Sequence, residues 1–366
     1  MTSRALFAVV LAAGEGTRMR SERPKPLHLL CGRPMVLHVL DALAELDVDR
    51  VVVVVGHRGE WVTKTLVDHA PSNLEIEFVE QPEPHGTGDA TAVALTGLPH
   101  DWGEEADIVV LPGDTPLLRP ATLAALVRRH RASDAAATLL TAVVSDPTGY
   151  GRVVRGRDDL VAKVVEESDA NETERRLSEI NTSIYCFRQA VLAPSLRRLS
   201  PANLQGEYYL TDTIAVLYEA GYTVQSLTTA DPMEAAGVND RAQLAVAEAE
   251  LRDRINERWM RRGVTMWDPE RTYVDATVEL ATDVSLLPGV ILRGACRVGE
   301  GAEIGPDSTL VDTDVGARAE IRQSVCTHAS VGARARVGPY AVLGPGSIVE
   351  EGATVQPFTT LPDEEG

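Results

Sequence analysis

Long apolar runs are missing from this chain. No stretch of about 18 consecutive apolar residues occurs, so no transmembrane helix is expected. Cysteine is sparse as well. Cys31, Cys186, Cys296 and Cys326 lie far apart and make no metal-ligand or redox pair. A reducing cytoplasm is their simplest setting. Basic charge is in deficit, with 35 Lys+Arg against 54 Asp+Glu and a formal net charge of −19. That argues against nucleic acid as a partner, because phosphate backbones need basic footprints. An anionic substrate must then be captured by local charge against the mean field. Aromatic residues make up only 4 %, so the adjacent pair Tyr208-Tyr209 stands out.

What remains is a globular composition. The 366 residues are 44 % hydrophobic and 24 % charged, enough for two domains and a large core.

The most informative stretch is residues 11–26. It follows an apolar run, Ala5 to Val10, that reads as a buried parallel strand. Gly14 and Gly16 free the backbone to wrap an anion with its N–H groups. Arg18 and Lys25 add fixed positive charge to the same loop. A strand, a glycine loop and two cations suit a nucleoside triphosphate. The loop is not a Walker motif, since no Gly-Lys-Ser/Thr closes it. Nor is it a dinucleotide fingerprint, for want of a third glycine. With Arg4 as its sole charge, the N-terminus makes a poor signal peptide. Taken alone, the loop also fits an ordinary glycine turn with surface cations.

Strand-like and helix-like stretches alternate up to about residue 230, which predicts βαβ units on a mostly parallel sheet. Strands are expected at 5–11, 51–55, 74–80, 107–111, 136–143, 162–165 and 183–187. Helices are expected at 35–46, 60–68, 88–95, 120–131 and 211–220. Residues 240–262 read as one long helix with an apolar stripe at Leu244, Ala247, Leu251, Ile255 and Trp259, suited to packing between two domains.

The pattern then changes. Apolar residues recur every six at Val274, Leu280, Leu286, Leu292, Val298, Ile304 and Leu310. The phase slips through Val315 and Ile321, then resumes at Val325, Val331, Val337, Leu343, Val349 and Val355. Period six marks a hexapeptide β-helix, a triangular prism with one inward apolar residue per face and nearly five coils here. Small residues such as Ala302, Ala317 and Ala333 are expected on flat outer faces. The expected organisation is a catalytic domain over 1–239, a linker helix over 240–262, a left-handed β-helix over 263–358 and an acidic tail over 359–366.

Further motifs carry chemistry. Residues 81–88, Gln-Pro-Glu-Pro-His-Gly-Thr-Gly, follow a strand and open a helix. Gln81 can donate and accept at a base edge, Gly86 allows close approach, and Thr87 can cap the helix or bond the base. Gly113-Asp114 follows another strand, where ligands of open α/β sheets bind. A carboxylate there, beside a phosphate loop, is a natural Mg²⁺ ligand, and Asn239 offers a second oxygen. Asp114 alone also fits a turn. Glu166, ending a strand, and Asn181, preceding one, are groups that bond sugar hydroxyls. As isolated residues they more often fit solvated strand ends.

Together these stretches closely resemble the bifunctional N-acetylglucosamine-1-phosphate uridyltransferase/glucosamine-1-phosphate acetyltransferase family. The resemblance rests on residues 11–18, Pro24-Lys25, 86–88, Gly113-Asp114, 146–152, 179–182 and 205–212, and continues into the β-helix. It implies a Rossmann-like nucleotidyltransferase domain with a mixed, mostly parallel sheet, then a short left-handed hexapeptide-repeat β-helix. It implies uridylyl transfer from UTP to N-acetylglucosamine 1-phosphate for UDP-N-acetylglucosamine and cell-wall precursor synthesis. Leu11, Ala12, Ala13, Gly14 and Gly113 would line the nucleotide, and Gln81, Gly86 and Thr87 would hold uracil. Arg18 and Lys25 would be the catalytic cations. Gly151, Glu166, Asn181 and Asn239 would contact the sugar phosphate, and Asp114 with Asn239 would bind Mg²⁺. It also implies a cytoplasmic homotrimer, with no nucleic-acid or membrane partner. The alternatives are another sugar 1-phosphate, such as glucose or a different hexosamine, or a silent regulatory or scaffold subunit.

This chain departs from the family pattern in places. Pro112 stands where many relatives place Tyr, Pro84-His85 where the pair more usually ends in Leu, and Ser168 for a common Lys. Residues 342–346 read Val-Leu-Gly-Pro-Gly where relatives commonly write Arg-Leu-Arg-Pro-Gly. The acetyltransferase machinery is therefore expected to be missing.

Overall fold

The computed structural model describes residues 4–99 and 106–361. It divides into two compact units. One comprises the residues up to His28 with Pro34–Leu244, the other Leu29–Arg33 with the residues from Ala245 onward.

In the first unit one sheet dominates. β1 (Leu6–Ala12) opens it; the next strands in the chain, β2 (Leu29–Leu30) and β3 (Arg33–Pro34), pair as a separate ribbon whose residues 29–33 belong to the second unit. The sheet continues with β4 (Arg50–Val55), β5 (Ile76–Glu80), β6 (Asp107–Pro112), β7 (Ala137–Val143), β8 (Arg152–Arg155), β9 (Val161–Val165), β10 (Glu179–Arg188) and β11 (Val224–Thr228). Its order is β11-β7-β10-β6-β1-β4-β5, with β8 and β9 as a ribbon against β10. β10 runs antiparallel to β6 and β7, and the pairs of β1, β4, β5 and β11 are parallel.

Unbroken apolar runs make the central strands, because both faces are covered. Alternate residues of β1 enter opposite cores: Leu6, Ala8 and Val10 one, Phe7 and Val9 the other. The helices are α1 (Met35–Ala44), α2 (Gly59–His69), α3 (Thr87–Ala94), α4 (Pro120–Ala132), α5 (Glu172–Arg175), α6 (Gln189–Leu196), α7 (Asp212–Glu219) and α8 (Arg241–Arg261).

Six of these elements escape the sequence reading, the two-residue strands β2 and β3 among them. β8 is four residues with charged ends, α5 is one turn, α6 contains Pro194, and β11 alternates weakly. β10 also starts earlier than expected. Asn181 lies inside it, not before it, at a register shift where Ser183 adopts φ 61.

The second unit is a β-helix of short parallel strands, from Thr265–Met266 to Thr360–Leu361. They stack into three sheets of six, six and five strands. Each coil pairs its inward residue with that of the next, as in Leu286↔Ile304, Leu292↔Leu310 and Leu280↔Val298. A small residue two positions earlier closes the corner inside, as Ala302, Ala319 and Ala335 do.

Two expectations fail here. Val325 points outward at 44 % exposure, and Cys326 takes the inward place, paired to Leu310 and Leu343. The repeat shortens to five residues on both sides of Cys326, so a fixed step of six misplaces it. Ala302 is fully buried in the corner and not on an outer face, whereas Ala317 is exposed. In α8, Ala247, Ile255 and Trp259 are buried, and the last two join the β-helix core with Leu251 against it. Of the expected tail, residues 362–366 lie outside the described residues.

Candidate active site

β1 stands between β6 and β4, so the chain leaves β1 to one side and returns to β6 on the other. This is a topological switch point, where loops at the carboxyl ends part and leave a crevice. The loop after β1 and the loop after β6 border it. Gly113 N–H donates to the Leu11 carbonyl at 2.9 Å and ties the two strand ends together. Ala12 and Gly113 are buried, Leu11 and Ala13 half-buried, and Gly14 exposed with open space about its α-carbon.

Gly16 takes φ 64, and a β-carbon there would stand 2.5 Å from Lys25 Cβ. The glycine is thus required for Lys25 to cross under the loop. Lys25 opens a short turn, Lys25–Leu27, whose Pro26 and Leu27 are buried and anchor it.

The Lys25 ammonium donates to Asp114 Oδ2 and to Asn239 Oδ1, the latter at 2.8 Å. Arg18 donates to the same Asn239 oxygen at 2.9 Å. Val238 N–H bonds the Asp114 carbonyl at 2.9 Å, which holds the 237–239 segment beside the β6 loop. Four residues spread over 221 positions therefore converge on one point. Two hard oxygens, one of them anionic, already share a single cation there, which is the donor set Mg²⁺ takes with phosphate and water oxygens completing its shell. Among the described residues no group of three His, Cys, Asp or Glu side chains could hold a metal.

A second cluster forms around Gly151, buried at the start of β8. A β-carbon there would stand 3.3 Å from Glu166 Oε2 and 3.6 Å from Asn181 Cβ. Thr211 donates to Glu166 Oε1 at 2.9 Å. Burial pushes the Glu166 carboxyl above its ordinary range, with nearby Asp212, Asp169 and Glu207 adding to the shift despite the Thr211 bond. Asn181 Nδ2 donates to the Tyr185 hydroxyl at 2.8 Å, and Asn181 Oδ1 is buried without a partner. The phenol of Tyr150, next to Gly151 in the chain, is pushed up by burial and then by the charge of Asp114.

A third cluster holds the 81–88 motif. Gln81 is buried, and its Nε2 donates to Asp89 Oδ2 at 2.7 Å and to the Gly86 carbonyl at 3.3 Å. Gly86 takes φ 105 with Tyr208 O close behind it. The Thr87 hydroxyl accepts from Leu210 N–H at 3.0 Å, so it docks the 205–212 segment. Gly88 N–H to Tyr208 O and Tyr208 N–H to His85 O complete that seam. The double tyrosine motif is thus backbone support for the 85–88 turn. Sequence reasoning missed Thr211 and Tyr185. Neither had a signal in spacing: Thr211 meets Glu166 from 45 residues away, and Asn181 meets Tyr185 only through the register shift in β10.

The fold and its cation-bearing crevice define a nucleotidyltransferase. Residues 8–205 match the MobA-like NTP transferase domain family. The chain is 46 % identical over 325 residues to the bifunctional protein GlmU of Desulfitobacterium hafniense, spanning 89 % of this chain and 69 % of that protein. It is 47 % identical over 332 residues to the GlmU of Streptomyces avermitilis, spanning 90 % and 68 %. HddC from Yersinia pseudotuberculosis, solved in complex with GMP-PN, superposes with a TM-score of 0.50 at 18 % identity, over 67 % of this chain and 99 % of that one, and shares the fold. The chain belongs to the GlmU family and is a sugar-1-phosphate nucleotidyltransferase.

Proposed function

We propose that this protein transfers uridylyl from UTP to N-acetylglucosamine 1-phosphate, releasing pyrophosphate. The observation that carries the reading is the convergence of Arg18, Lys25, Asp114 and Asn239 at the switch point, beside a subsite with a free buried acceptor. An oxygen of the sugar phosphate attacks the α-phosphorus in line. The new P–O bond forms as the α–β bridging bond breaks, and both electrons leave with pyrophosphate. No covalent enzyme intermediate is needed, so positioning and charge neutralisation carry the rate.

Arg18 and Lys25 stabilise charge on the phosphate oxygens. Asp114 and Asn239 would hold Mg²⁺, which when bound neutralises and orients the triphosphate. Leu11 to Gly14 and Gly113 line the nucleotide. With its Nε2 held by Gly86 and Asp89, Gln81 presents Oε1 to a base N–H, as uracil offers. Gly151, Glu166 and Asn181 receive the sugar: Glu166 and Asn181 Oδ1 are acceptors, matching hydroxyl and amide donors.

We further propose a homotrimer assembled through residues 263–358, in the cytoplasm. One outer column of the β-helix carries Tyr273, Val325 and Val342, each more than 40 % exposed, a face suited to a second copy. All four cysteines are free and buried, as a reducing compartment allows. Among the described residues no helix is long and apolar enough to cross a membrane. With Gly344 in place of a basic side chain, no acetylation of glucosamine 1-phosphate is expected. Acetylated product above a no-enzyme control would overturn that point.

Pyrophosphate release across a panel of nucleoside triphosphates and sugar 1-phosphates tests the reading. UTP with N-acetylglucosamine 1-phosphate should be the fastest pair. Preference for glucose 1-phosphate would replace the sugar, and no turnover with any pair would leave a silent subunit.

A further inference from the structure

We infer that Tyr185 is a positioning residue for the sugar phosphate, acting by fixing the side-chain amide of Asn181. The inference rests on the proposed sugar subsite. Asn181 is only 4 % exposed, and its two amide atoms have different fates. Nδ2 is spent on the Tyr185 hydroxyl at 2.8 Å, while Oδ1 is buried and unpartnered. A buried acceptor left open is costly, and one facing a subsite is available to a ligand donor. If the amide turned over, a donor would face the subsite in place of an acceptor. Beside the acceptor Glu166, that would leave the pocket mismatched to a sugar hydroxyl or amide N–H.

Tyr185 holds the amide side chain in place through that bond. It is 1 % exposed, and its ring stacks on Phe187 at 5.5 Å between centroids. Burial, with the charge of Glu166, pushes its ionisation far above the ordinary phenol range, so the hydroxyl stays neutral at any working pH. The backbone contributes equally. The register shift between Asn181 and Tyr185, with Ser183 in the left-handed region, lets residues four apart meet within one strand. Asn181 N–H bonds the Gly151 carbonyl at 2.8 Å, which fixes the residue at its other end.

The test is a double-mutant cycle with Tyr185→Phe and Asn181→Ala, read by steady-state kinetics for each substrate. Tyr185→Phe removes one oxygen and keeps the ring. It should raise KM for the sugar phosphate about fivefold to tenfold, the loss of one oriented hydrogen bond. The KM for UTP and kcat should stay within about twofold. In the Asn181→Ala background, Tyr185→Phe should have no further effect on the sugar KM. A purely structural tyrosine would instead give additive losses, move both KM values and lower Tm. Either an unchanged sugar KM in Tyr185→Phe or an additive cycle overturns the inference while leaving the subsite standing. If Asn181→Ala itself leaves the sugar KM unchanged, the subsite assignment falls and the inference falls with it.

Discussion

Lys25 contributes more to this account than any other side chain. It lies under Gly16, is anchored by Pro26 and Leu27, and bonds Asp114 and Asn239. A cation so fixed acts as a preorganised donor to phosphate oxygens, so Lys25→Ala should lower kcat by about 100-fold or more. Near-normal turnover with unchanged Tm would remove Lys25 from the mechanism. Glu166 makes a second prediction. Its carboxyl ionises above the ordinary range, so it becomes neutral on acidification before a solvated glutamate would. Neutralisation removes a charge-assisted acceptor. KM for the sugar phosphate should therefore rise as pH falls through that elevated value, and Glu166→Gln should flatten the profile. A profile equally steep in Glu166→Gln would contradict the assignment. The glycine loop with its two cations was legible in the sequence because spacing along 16 residues carried it. The pairing of Asp114 with Asn239 was chosen on chemistry, and only the fold brings the two together, through Val238 N–H. The docking of Leu210 on the Thr87 hydroxyl was not legible, because the two are 123 residues apart.

Among the elements, β6 and the β-helix coils give the sharpest tests. Asp107 starts β6 fully buried, with Arg131 Nε donating at 2.7 Å and His130 Nε2 lying 3.5 Å away. Burial alone would raise its ionisation, but the neighbouring His130, Arg131 and Arg4 outweigh it and hold the carboxyl below the ordinary range. Its contribution to stability is present above the unfolded-state value and is lost as pH falls through the depressed native one. Asp107→Asn should destabilise by about 3 kcal/mol at neutral pH, read as a lower urea midpoint, and by less in acid. An equal loss at every pH would show that charge is not the cause. The coil register is checked by thiol chemistry. Burial pushes the Cys326 thiol up to about 12, so it should resist alkylation in the folded protein. A cysteine placed by Val325→Cys should label rapidly. The reverse pattern would restore the register of six. Long, both-sides-buried strands and the period-six repeat were readable because burial writes its pattern directly into sequence. α6 with its internal Pro194, the four-residue β8 and the shortened coils were not, because tertiary packing decides each of them.

On the scale of the whole molecule, assembly and chemistry are separate predictions. Light scattering should report a trimer, and Val342→Glu on the exposed outer column should shift it towards monomer with uridylyl transfer retained. A monomeric wild-type chain would contradict the assembly and leave the chemistry untouched. The chemistry is tested most directly by phosphorus NMR of the purified protein with UTP, N-acetylglucosamine 1-phosphate and Mg²⁺. UDP-N-acetylglucosamine and pyrophosphate should appear together, one for one, and both should form about 100-fold more slowly or worse in Lys25→Ala and Asp114→Ala. Pyrophosphate without the UDP-sugar, or full activity in either variant, would contradict the account.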